Sequence, residues 1–211
     1  EYKMADITAA MVKALRDETG LGMMECKKAL TENNGDVETA KDALRAKGLA
    51  TAEKRASRDT KEGVVLIVAD DSQATMVEVL CETDFCARNE EFQAMAKDVS
   101  AMAAQAAEGE IQATDEINAR VQTTLAMIGE NMSFSRGVKI CAETIGTYAH
   151  HNGKVGVIVG LQGTLDAETL AGLCMHIAFS DPLGITGDDI PAELVAKEKQ
   201  IALAQAIESG K

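Results

Sequence analysis

The sequence predicts an α+β protein with a small all-helical unit at its amino end, followed by two related subdomains that each join an antiparallel sheet to helices. Two observations carry this. Apolar residues recur at helical spacing between residues 7 and 48. Beyond a charged stretch the pattern changes to β-branched runs with turn signals, and a hairpin followed by a helix occurs twice, at 63–107 and 138–180. These features divide the chain into a helical module over 5–50, a charged linker over 51–62, and core subdomains over 63–135 and 136–211. The recurrence is one of pattern rather than of residue identity.

In the first unit, Thr8 is placed to cap a helix whose stripe is Met11, Val12 and Leu15, with Gly20 closing it. A second helix runs from Met23 to about Asn33 and carries Cys26, Ala29 and Leu30; Asn33-Asn34-Gly35 breaks it. Asp36 caps a third, with Val37, Ala40 and Leu44 inward and Gly48 as its stop. The segment from Ala52 to Gly63 is charged and nearly free of large apolar groups, so it reads as a linker or an exposed helix extension.

Val64–Ala69 and Ala74–Glu82, separated by Asp70-Asp71-Ser72, form an antiparallel hairpin with Val77, Val79 and Cys81 on one face. A helix from about Asn89 to Ala107 presents Phe92, Met95, Ala96 and Val99. Another starts after Thr114 and ends at Gly129. Val138–Tyr148 and Val155–Leu161 are strands joined through Asn152-Gly153, a strong hairpin signal. The helix after Asp166 has no charge from Thr169 to Ser180 and is expected to be buried. Pro191 opens a last helix, with Gly210 as its cap one residue before the chain stops, which reads as a truncated protein or one with a disordered remainder.

Composition narrows the function classes. Among 211 residues, 21 basic against 34 acidic side chains leave a net charge of −13, which argues against binding a phosphate backbone. Aromatics at 3% without Trp argue against a base-stacking platform. No apolar run approaches the ~20 residues of a membrane span, and Glu1–Asp6 lacks the form of a secretory signal, so an intracellular protein without nucleic-acid or membrane partners is expected.

Five scattered cysteines never spaced C-x-x-C, and three histidines without metal-site spacing, point to neither a disulfide framework, a metal nor a cofactor. Phosphate-loop, serine-elbow and zinc-protease motifs are missing. Cys81 or Cys86 with His150 could be drawn as a thiol nucleophile and its base, but nothing in the sequence brings them together.

Two segments stand out. Cys81-Glu82-Thr83-Asp84-Phe85-Cys86 lies where a strand hands over to a long helix. Either Thr83 or Asp84 caps that helix while Phe85 turns inward as a staple, or Phe85 protrudes as an apolar wedge on a rigid tip. In Thr19-Gly20-Leu21-Gly22-Met23-Met24-Glu25-Cys26-Lys27-Lys28, two adjacent methionines cannot both face one small core. Either one is buried and one grazes the surface, or both form an adaptable thioether patch for a partner.

These residues make the chain recognisable. T-G-x-G-M-M-E-C-K-K-A-L, then N-G-D-V-E-x-A, T-D-F before a helix, Gly129-Glu130-Asn131, Tyr148-Ala149-His150, Met175-His176-Ile177-Ala178 and the closing Glu208-Ser209-Gly210-Lys211 resemble the bacterial-type translation elongation factor Ts family, in family order from Ala5 onward. The resemblance implies a guanine-nucleotide exchange factor for elongation factor Tu, cytoplasmic or organellar. It implies a ubiquitin-associated-like helical module before two related subdomains, no chemical catalysis and no cofactor.

Carried over, Thr83, Asp84, Phe85 and Cys86 form the tip that dislodges magnesium from the GTPase. Arg16, Met23, Met24 and Lys27 are a second contact set, and His150 faces another domain of the partner. Cys86 stands where the family usually has valine, a small change in size and polarity. Family members with both subdomains extend well past the position of Lys211.

Overall fold

The computed structural model describes residues 7–55 and 57–210. Three helices lead: α1 (Ala9–Thr19), α2 (Met23–Glu32) and α3 (Val37–Arg55). Thr8 accepts a hydrogen bond from the Met11 amide, Gly20 ends α1 in the left-handed region, and Asp36 accepts from the Thr39 amide at the start of α3. Their shared core is Val12, Leu15, Cys26, Ala29, Leu30, Ala40 and Leu44. Gly48 does not stop α3, which continues seven residues to Arg55, so the first five residues of the expected linker are helix extension.

A four-stranded antiparallel sheet follows, in the order β1 (Glu62–Ala69), β2 (Gln73–Cys81), β4 (Met132–Cys141), β3 (Gly109–Ile111). The first hairpin pairs Val64 with Val79 and Ala69 with Ala74. Its turn is held by Asp70, whose Oδ1 accepts from the amides of Ser72 and Gln73. Between β2 and β4 the register shifts at Glu78/Val79.

Two helices cover one face of this sheet: α5 (Glu90–Ala103) and α6 (Asp115–Ile128). The largest core lies between them and the strands, with Val77, Val79, Cys81, Phe92, Met95, Val99, Ile117, Val121 and Leu125 all buried. From Thr75 to Cys81 the alternation along β2 puts the odd-numbered residues inside, as the period of two requires.

The second sheet is the hairpin β5 (Thr144–Ala149) and β6 (Gly156–Leu161). It lies against the other face of the first sheet. A Cβ on Gly156 would come within 2.7 Å of Val65 Cγ1 and 2.9 Å of Met76 Sδ, so the bare backbone there is what lets the sheets approach. On its far side packs α7 (Ala167–Ser180), with Leu170 and Cys174 against Gly146. The layers therefore run helices, sheet, sheet, helix. The last helix is α8 (Ala192–Glu208).

Three sequence expectations change here. The stretch from residue 138 to 148 is not one strand. It breaks at Ala142-Glu143, and its first part belongs to β4, which pairs with β2. The expected division between residues 135 and 136 thus falls inside a strand of the first sheet. The helix after Asp166 is not buried all round. Leu170, Leu173, Cys174, Ile177 and Ala178 do face inward, but Met175 and Phe179 are exposed, because a two-stranded sheet covers only one side of a helix.

Candidate functional site

Between the end of β2 and the start of α5 the chain makes a single helical turn, α4 (Asp84–Ala87). Thr83 caps it: the Thr83 Oγ1 accepts from the Cys86 amide at 3.1 Å. Cys86 and Ala87 are buried in the main core. Successive helical residues are separated by about 100°, so with Cys86 and Ala87 inward Phe85 is turned out, and it is 81% exposed. Asp84, at the outer edge of the same turn, pairs with Arg88 at 3.2 Å.

A second cap restarts the helix. Asn89 Oδ1 accepts from the amides of Glu91 and Phe92 at 2.9 and 3.4 Å. The aromatic that turns inward is therefore Phe92, fully buried, and the staple alternative for Phe85 does not hold. Cys86 corrects another expectation. Its side chain is only 2% exposed, so it supports the tip from beneath and does not share Phe85's surface.

The thiol alternative finds no geometry. Cys81 and Cys86 are both closed off in the main core, 0% and 2% exposed, and the neighbouring Cys81 and burial together push the Cys86 thiol up. The His150 ring is engaged elsewhere, its Nδ1 2.7 Å from the Tyr148 hydroxyl.

The tip is held by carboxylates from two directions. The Thr83 amide donates to Glu130 Oε2 at 3.1 Å, and its hydroxyl is 3.0 Å from both Glu130 oxygens. In return, Glu82 Oε1 accepts from the Asn131 amide at 2.5 Å. The Asn131 side chain donates to the Arg58 carbonyl at 2.8 Å, and the Arg58 guanidinium reaches Glu82 at 3.4 Å. Sequence reasoning assigned no role to Glu82 or Glu130. The signal was the Gly129-Glu130-Asn131 tripeptide, but only the fold reveals that residues 47 positions apart are partners.

On the helical module, Met23 and Met24 open α2 and are 55% and 75% exposed, so neither fills the small core. The inward face of α2 begins with Cys26 and continues through Ala29 and Leu30. Arg16 and Lys27 are exposed as well. The helical module and the tip both border the end of α6. A Cβ on Gly20 would overlap the Met127 thioether, and Glu130, three residues beyond Met127, holds Thr83.

His150 sits half-buried where β5 ends, its ring 4.2 Å from that of His151. The turn that follows faces the tip across a cleft of about 450 Å³, lined by Asp84 and Arg88 on one side and His151, Asn152 and Gly153 on the other.

An aromatic displayed on a doubly capped turn, and two exposed thioethers on the helical module, are the kind of rigidly held anchors that protein–protein contacts use. Comparison with known proteins is consistent with that reading. The family model described as Elongation factor TS matches residues 82–211. The elongation factor Ts of Sphingopyxis alaskensis is 42% identical over 227 residues, covering 99% of this chain and 74% of its own length. Those of Acinetobacter baumannii and Acinetobacter baylyi are each 44% identical, covering 99% of this chain and 73% of theirs. The chain belongs to the elongation factor Ts family, and with it to the elongation factors of protein biosynthesis. Among the described residues no helix is long and apolar enough to cross a membrane.

Proposed function

We propose that this chain is a guanine-nucleotide exchange factor for elongation factor Tu, working in the cytoplasm. It binds the GDP-loaded GTPase, displaces its magnesium ion and releases GDP so that GTP can enter. The observation that carries this reading is Phe85, 81% exposed on a turn whose backbone is fixed by Thr83 below it and Asn89 beyond it.

The mechanism needs no reacting group on this chain. Tight GDP binding depends on magnesium offsetting phosphate charge. A partner that prefers the empty pocket weakens GDP by the same factor by which GDP weakens the partner. Burying one aromatic stabilises a complex by up to ~3 kcal/mol, roughly a hundredfold in that equilibrium. The rest comes from a wider interface.

In this reading Thr83, Asp84 and Phe85 enter the GTPase domain, with Cys86 bracing them from the core. Arg16, Met23, Met24 and Lys27 contact the same domain from the helical module, which we read as ubiquitin-associated-like. His150 faces another domain of the partner. The two core subdomains are related units, the second carried by the β5–β6 hairpin and α7.

Stopped-flow release of labelled GDP from elongation factor Tu tests the proposal. The chain should accelerate release, and Phe85→Ala should slow the stimulated rate by about a hundredfold while leaving the fold intact. Equal rates for the two proteins would remove Phe85 from the mechanism, and no acceleration by either would remove the function.

A further inference from the structure

We propose that Glu130 is a positioning residue for the Phe85 tip, acting with Glu82 as a reciprocal latch between two loops. The proposal rests on the exchange reading above and extends it to two partly buried carboxylates set behind the exposed tip. The reciprocity is what distinguishes this arrangement from a chance surface hydrogen bond. Glu130 takes the Thr83 amide and hydroxyl, while Glu82, the residue before Thr83, takes the amide of Asn131, the residue after Glu130. Two consecutive residues on each strand of chain thus exchange carboxylate-to-backbone bonds, at 2.5–3.1 Å.

The chemistry of Thr83 makes Glu130 specific. A hydroxyl has one proton and two lone pairs. With its proton drawn to the carboxylate, a lone pair is left facing the Cys86 amide, the bond that closes α4. The carboxylate therefore orients the cap, the cap orients the turn, and the turn displays Phe85. Hydrogen bonds to an ionised acceptor are about twice as strong as neutral ones. Both carboxylates lie close to the tip without being part of its exposed apolar surface: the Glu82 side chain is 19% exposed, and Glu130 is half-buried.

Substituting Glu130→Gln keeps the size of the side chain and removes its charge. One amide oxygen then serves where two carboxylate oxygens did, and the amide NH2 faces donors. The test is a double-mutant cycle read by stimulated GDP release from elongation factor Tu, using wild type, E130Q, F85A and the double variant, with thermal unfolding of each recorded alongside.

The expected result is that E130Q slows stimulated release about tenfold, the size of a lost charge-assisted hydrogen bond, yet by much less in the F85A background, because its effect runs chiefly through the turn that displays Phe85. Equal slowing in both backgrounds, or a wild-type rate for E130Q beside a slow F85A, would overturn the latch and leave the exchange reading standing. F85A as fast as wild type would instead bring down the exchange role of Phe85, and the latch's purpose with it. If E130Q unfolds, Glu82→Gln enters the same cycle with the same expected and overturning results.

Discussion

Gly48 on α3 and Ala126 on α6 hold two helices in backbone-close contact: a Cβ added to Gly48 would lie 3.2 Å from that of Ala126. Gly48 lies within the helix it was expected to end, and its missing side chain lets the helical module sit against the core. A cleft lined by Glu18, Lys41, Leu44, Thr123 and Met127 borders this junction.

Replacing Gly48 with leucine should therefore push the module off α6. Overpacking of this kind costs about 1–3 kcal/mol. Limited proteolysis should then cut between module and core at a rate well above that of wild type, and an unchanged digestion pattern would contradict the contact.

Phe85 and Phe92 make a matched pair seven residues apart, one 81% exposed and the other fully buried. Phe92→Ala should cost ~3–5 kcal/mol in urea unfolding, whereas Phe85→Ala should change stability by no more than about 0.5 kcal/mol. The functional ranking should be reversed among folded proteins, with only the Phe85 change slowing GDP release.

Met23 and Met24 contribute little to the small core, so the double alanine variant should melt close to wild type. On the proposed function it should bind nucleotide-free elongation factor Tu roughly tenfold more weakly, given the ~1–3 kcal/mol of apolar burial two thioethers supply. Titration calorimetry measures this. Unchanged affinity would remove the two methionines from the interface.

Asp70 gives a pH signature. The Gln73 side chain, then the amide of Ser72, hold its carboxyl down at about 2, below the ordinary 3.8. Because the folded value is the lower one, the ionised form's contribution to the β1–β2 turn is fully present above pH ~4. It is lost as pH falls towards about 2. A carbon-detected NMR titration of Asp70 should show its midpoint there, and a midpoint near 3.8 would show that the turn does not grip the carboxylate.

Much of the helical module was legible because each end carries its own chemistry: Thr8 and Asp36 accept from amides three residues on, and Gly20 donates its own amide to the Arg16 carbonyl. The first hairpin was legible for the same reason, through alternation and the Asp70 turn. The strand now assigned as β4 was misread at both ends. Met132–Gly137 carries no strand pattern in the sequence reading, and its residues join β4 by pairing with β2. The three-residue β3 was not seen at all, since Gly109–Ile111 carries too little pattern and exists because β4 offers an edge.

At the site, sequence by itself determined that a cap lies at Thr83 or Asp84, and it set the apolar periodicity that buries Phe92 and the family motifs. Each is a local relationship spanning one or two helical turns. Which way Phe85 points was decided only by tertiary structure: Cys86 and Ala87 find a core to enter, and Glu130 arrives from 47 residues away to fix the turn. A side chain's direction depends on what lies opposite it, and one-dimensional periodicity cannot say which of two neighbouring apolar residues meets the core.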